Sequence, residues 1–159
     1  MQSLTILNTR EVKRIKELLI SQFGYALQED YAYLLNEKNK IYLVNKDAAK
    51  LDWKKLIIDK MGLYFAEDKE TEIRLSKEGA QLLASEAKKN KKKLLNLIEL
   101  TMEEVKAYFQ GVDLEKDLGA NNKNIIVHHK DAILGCAKYK EGKILNFLPK
   151  TYRGEVILC

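Results

Sequence analysis

Apolar positions recur along this chain at two spacings, every three to four residues and every second residue, and the alternation divides it into helices and paired strands. Val12, Ile15, Leu18, Leu19 and Phe23 share one helical face and leave Arg10, Lys13, Arg14 and Lys16 on a basic one. Asn8-Thr9-Arg10-Glu11 reads as a capping box that opens this helix, and Gly24 as its stop. Residues 31–35 and 41–44 read as a strand pair around the polar turn 36–40. A helix is expected over 47–59, with Leu51, Trp53 and Leu56 among its core candidates. Residues 61–66 and 72–75 then form a second strand pair around Glu67-Asp68-Lys69-Glu70. Ser76 caps another helix, which runs through Leu82 and Leu83 to about Ala87.

At Lys88-Lys89-Asn90-Lys91-Lys92-Lys93 the composition shifts, and a new strand pattern follows over 94–100. The boundary is placed here, giving units 1–92 and 93–159. No Pro, Gly or Ser linker joins them, so the halves are expected to pack together. Thr101-Met102-Glu103-Glu104 is a second capping box, opening a short helix through Val105, Tyr108 and Phe109 that stops at Gly111. A loop over 112–119 precedes strands at 124–129, 132–139 and 143–148, the last two joined by the hairpin turn Lys140-Glu141-Gly142-Lys143. Short strands with one small helix predict a compact barrel, and the whole chain reads as α+β.

Charge sharpens this division. Residues 1–87 hold 14 Lys and Arg against 14 Asp and Glu, whereas residues 88–159 hold 14 against 9, so the entire excess of +5 lies in the C-terminal part. Such asymmetry suits a polyanionic partner. The apolar runs are far too short to span a membrane, and the first residues lack a signal-peptide pattern, which reads as a cytoplasmic protein. Two cysteines make no disulfide framework: Cys136, beside Gly135, reads as a small core residue, and Cys159 is terminal.

The segment Val105-Lys106-Ala107-Tyr108-Phe109-Gln110-Gly111, followed by Leu114, Leu118 and Gly119, resembles the helix, glycine turn and second glycine of the PUA domain, a small RNA-binding pseudo-barrel. The hairpin over 124–138 matches that family's strand order. The close, Lys143-Ile144-Leu145-Asn146-Phe147-Leu148-Pro149-Lys150, is similar to the PUA-like tail of Sun-type RNA 5-methylcytosine methyltransferases. Where family members often carry a Pro-Gly near the second glycine, this chain has Asp117-Leu118-Gly119-Ala120. The N-terminal helix, strand pair, helix and strand pair are similar to the pre-PUA domain of Nip-seven-type ribosome biogenesis proteins. The resemblance thus implies a mixed α/β pre-PUA-like domain followed by a PUA-like β pseudo-barrel. It also implies RNA lying along the short helix, its loop and the last strands, where Lys106, Gln110, Gly111, Asp113, Lys116, Lys140, Lys150, Tyr152 and Arg153 would meet it. Lysine and arginine would neutralise phosphates and Tyr152 would stack on a base. Each has a plainer reading: Gly111 as a helix stop, Tyr152 as packing on the barrel edge.

The lysine run, including Lys91 and Lys92, is either a phosphate-contact ridge or a solvated helix C-terminus whose cations complement the dipole. His128-His129 suggests a metal, but neighbours on a strand point to opposite faces, and there is no third histidine. No glycine-rich phosphate loop or nucleophile elbow is present, and Glu67-Asp68-Lys69-Glu70-Thr71-Glu72 reads as a hairpin turn rather than a cation site. The expectation is a non-catalytic protein without metal or cofactor that binds structured rRNA or tRNA in RNA modification or ribosome biogenesis. The alternative is a protein-interaction module that docks on an RNA methyltransferase or ribosome assembly factor. A small enzyme or ligand-binding domain in the cleft between the halves is the third reading.

Overall fold

The protein is described by a computed structural model over residues 4–46 and 62–146. The helix expected over 47–59, and Lys150, Tyr152, Arg153 and Cys159, lie outside the described residues. Strand β1 (Leu4–Ile6) leads into helix α1 (Thr9–Phe23), and strands β2 (Tyr31–Asn36), β3 (Lys40–Asn45), β4 (Leu63–Asp68) and β5 (Ile73–Leu75) follow. These five strands form one antiparallel sheet in chain order. Helix α2 (Lys77–Lys89) closes the first half. In the second half come β6 (Leu97–Glu99), helix α3 (Met102–Phe109), β7 (Leu114–Glu115), β8 (Lys123–His129), β9 (Ala132–Lys140) and β10 (Lys143–Leu145). Their sheet curls into a half-barrel with the order β6-β8-β9-β10-β7. The fold is α+β, as the patterning predicts.

The helix starts follow from local chemistry. Asn8 accepts from the Glu11 N–H while Glu11 reaches back to the Asn8 N–H, and Thr101 and Glu104 do the same for α3. Ser76 caps α2 by accepting from Gly79 N at 2.8 Å. Ile15, Leu19 and Phe23 on α1 are fully buried, each worth roughly 1.5–3 kcal/mol of transfer free energy. Gly79 is in the first turn of α2, where a Cβ would lie 1.9 Å from the Phe65 carbonyl oxygen, so the helix sits directly on the backbone of β4.

Strand β8 is buried from both sides, and its register shows how. Ile125 pairs with Ala137 and Val127 with Gly135 on the face that meets Val105 and Tyr108 of α3. Asn124 pairs with Lys138 and Ile126 with Cys136 on the face that meets the first half. Ile126 and Cys136 therefore belong to the same core as Phe65, Leu83 and Phe23. That explains the unbroken run Ile125-Ile126-Val127, since a strand covered on both faces needs no polar alternation. Gly135 leaves room for Tyr108, whose hydroxyl would be 2.7 Å from an added Cβ. Burial pushes the Cys136 thiol up to about 11, in keeping with a core role.

Polar joints reinforce the packing within the first half and between the halves. The Glu72 carboxylate accepts from Asn124 Nδ2 at 2.8 Å and from Lys138 Nζ at 2.6 Å. Arg14 pairs with Asp68 and also donates to the Glu70 carbonyl at 3.0 Å. Three of the four carboxylates of the 67–72 turn, those of Glu67, Asp68 and Glu72, are thus paired with the chain's own cations. The Glu86 carboxylate, 6% exposed, accepts from Tyr25 Oη and from the Gln28 and Glu29 N–H groups, tying α2 to the loop after α1. Between the sheets, Leu95 N donates to Phe23 O, Asn96 Nδ2 to Gln22 O, and Ile126 N to Asn96 O. Among the described residues no helix is long and apolar enough to cross a membrane.

Candidate nucleic-acid interface

Helix α3 and the turn after it occupy one face of the curled sheet. The helix ends in a Schellman motif, with Gly111 N bonded to Tyr108 O, Val112 N to Ala107 O, and Gly111 at φ 83°. Gly111 is therefore the residue that stops the helix. Lys106 and Gln110 are exposed on the last turn, next to it. Asn146, at the end of β10, donates to the carbonyls of Tyr108 and Val112, and its N–H donates to Asp113 Oδ1 at 2.8 Å. The last described residue is thus fastened to the glycine turn.

The loop with the second glycine is also held from inside the barrel. The Tyr139 hydroxyl, in a side chain 1% exposed, donates to Gly119 O at 2.7 Å and accepts from Leu118 N at 3.0 Å. Lys116, on the way to this loop, is half-buried and pairs with Glu104 at 3.1 Å. Burial alone would raise the Glu104 carboxyl, but the Thr101 N–H and Lys116 outweigh it and hold it below its ordinary value. Lys140 is exposed at the other end of β10, beside a two-residue turn in which Glu141 and Gly142 both have positive φ.

A basic surface lies on the opposite face of the same sheet, against α2. Helix α2 ends in another Schellman motif: Lys91 N bonds to Lys88 O and Lys92 N to Ala87 O, with Lys91 at φ 55° in the position that Gly111 fills after α3. This turn sends Lys92 and Lys93 along a cleft of about 650 Å3 that is also lined by Lys88 and, from the β8–β9 turn, Lys130. Its floor is apolar, formed by Ala84, Leu94, Leu97 and Ile133. His128 lines it too, with Nδ1 2.9 Å from the Lys130 carbonyl oxygen. The ring of His129 bonds instead to Leu100 O.

The residues expected at an RNA surface therefore fall in three places. Lys106, Gln110 and Gly111 cluster at the end of α3; Lys116 and Lys140 lie toward the β9–β10 turn; Lys92 lines the cleft, beside Lys91. Lys130 escaped the sequence reading, and His128 entered it only as a metal candidate set aside, because only the folding of the hairpin against α2 brings them to a lysine run some forty residues earlier. Tyr139 and Asn146, which shape the glycine loops, also carry no signal beyond their residue types.

Residues 95–154 match the family model described as the methyltransferase RsmF PUA domain. The half-barrel with its small helix is the structural counterpart of that match. This region is a PUA-like domain. The PUA-like domain takes in β6 to β10, and PUA domains are in general RNA-binding. The glycine turn after α3 and the Tyr139-anchored loop belong to it. No curated protein matches the chain.

Proposed function

We propose that this chain is a non-catalytic RNA-binding protein that holds structured rRNA or tRNA during RNA modification or ribosome biogenesis. The observation that carries the reading is the match of residues 95–154 to the PUA domain of an RNA methyltransferase family. The confinement of the charge excess to residues 88–159 supports it. In this reading the first half is a pre-PUA-like platform, and phosphate neutralisation with shape readout supplies the affinity.

A filter-binding titration against a folded RNA at several salt concentrations tests it. The binding constant should fall steeply with salt, by roughly 0.9 in logarithmic slope for each duplex phosphate neutralised. Affinity no better than that of an unrelated neutral domain, or a flat salt response, sinks the reading. Reversal of Lys91, Lys92, Lys150 and Arg153 to glutamate separates it from a docking module. RNA binding should collapse, whereas binding to an RNA methyltransferase through the charge-balanced residues 1–87, which the reversal leaves unchanged, would persist.

A further inference from the structure

We propose that the cleft between α2 and the β8–β9 hairpin is a binding site for one unpaired nucleotide, its base on the apolar floor and its phosphate against the lysine rim. It rests on the RNA-binding reading for the source of that nucleotide, but it concerns the face of the sheet opposite α3 and Gly111, and half of it comes from outside the PUA-like domain. Four lysines line it, Lys88, Lys92, Lys93 and Lys130, against the single carboxylate of Asp131. Among the described residues none of the four has a carboxylate partner, whereas Lys46, Lys69, Lys89, Lys116 and Lys138 all do. Like charges held together favour an anion between them.

An anion alone does not account for the rest of the site. The floor of Ala84, Leu94, Leu97 and Ile133 offers nothing to inorganic phosphate or to the backbone of a duplex, but it matches the face of a base turned out of a stack. The His128 ring adds a flat aromatic surface on which a base can stack. A volume of about 650 Å3 falls within the range of small-ligand sites, roughly 300–1,000 Å3. A free mononucleotide and an unpaired nucleotide of RNA share this chemistry, and the experiment distinguishes them.

Ser85 lines the α2 wall and is exposed, so Ser85→Leu and Ser85→Met fill the cleft without removing a charge, a core side chain or a hydrogen bond and without adding an aromatic ring for a base to stack on. The probes are a blunt RNA hairpin, the same hairpin with two unpaired 3′ nucleotides, and uridine monophosphate. The wild-type protein should prefer the overhang roughly tenfold, the scale of burying the apolar face of one base. Both filling variants, with unchanged melting curves, should bind the two hairpins equally at the blunt affinity. Hairpins that bind without preference, or a preference that survives both variants, overturn the proposal. If neither hairpin binds but uridine monophosphate shifts the amide resonances of residues 128–133, the nucleotide site stands and the RNA-binding reading falls. If neither hairpin nor mononucleotide binds, both fall.

Discussion

Two residues in the same backbone position show how much a single side chain decides. Gly111 and Lys91 both take the left-handed conformation that completes a Schellman motif, but only glycine does so without a clash of Cβ against the neighbouring carbonyl. Lys91→Gly should therefore raise stability by about 1 kcal/mol, seen as a higher urea midpoint at unchanged slope. Lower stability would mean that the lysine side chain contributes more than its backbone costs. Tyr139 is the complementary case, a single hydroxyl that holds a loop. Tyr139→Phe keeps the ring in the core but leaves Leu118 N–H and Gly119 C=O without their partner. It should cost about 1–2 kcal/mol and speed hydrogen exchange at Leu118, with α3 unaffected. Exchange at Leu118 equal to wild type would show that the hydroxyl does not hold the loop.

At the level of elements, the parts legible in the sequence are those whose signals are local. Both capping boxes, the Ser76 cap and the glycine stops stand where side-chain chemistry and φ preference put them. The hairpins at 36–40 and 140–143 follow from alternation and turn residues. β1 and β7 are not legible, because three and two residues carry no period and each exists only through its neighbour, β2 or β10. The parallel pairing of β6 with β8 is equally hidden, since it joins segments separated by α3 and a loop. The strand expected over 94–100 shortens to Leu97–Glu99, because Leu95 and Asn96 instead bond to the end of α1.

The joints between elements predict an acid response. Burial works against the Glu72 carboxylate, but its bonds from Lys138 and Asn124 prevail, and its pKa lies below the ordinary 4.5, as does that of Glu104. A depressed folded-state pKa stabilises the native state above the unfolded value, and the gain is lost as pH falls through the depressed one. Stability should thus drop as pH falls below the ordinary carboxylate range, and Glu72→Gln with Glu104→Gln should flatten that drop in urea melts. An acid limb as steep as wild type in the double variant would assign it to other carboxylates.

For the whole molecule, the core that passes from Leu83 and Phe65 into Ile126 and Cys136 makes the two sheets a single cooperative body. Ile126→Ala should cost about 2–5 kcal/mol and loosen α1 and β9 together, in one calorimetric transition. Two transitions, with only the second half shifted, would separate them. The same fold positions the glycine turn of the PUA-like domain on one face of the curled sheet and the lysine-lined cleft at the end of α2 on the other. The connector that leads from one half to the other is clasped at Leu95 and Asn96 by the last turn of α1 and by β8. That clasp leaves no slack between the two faces, so the fold is a gauge rather than a grip: any partner that reaches both must match the spacing the clasp sets. Lengthening the connector by even a few residues would change which ligands fit without altering a single contact residue.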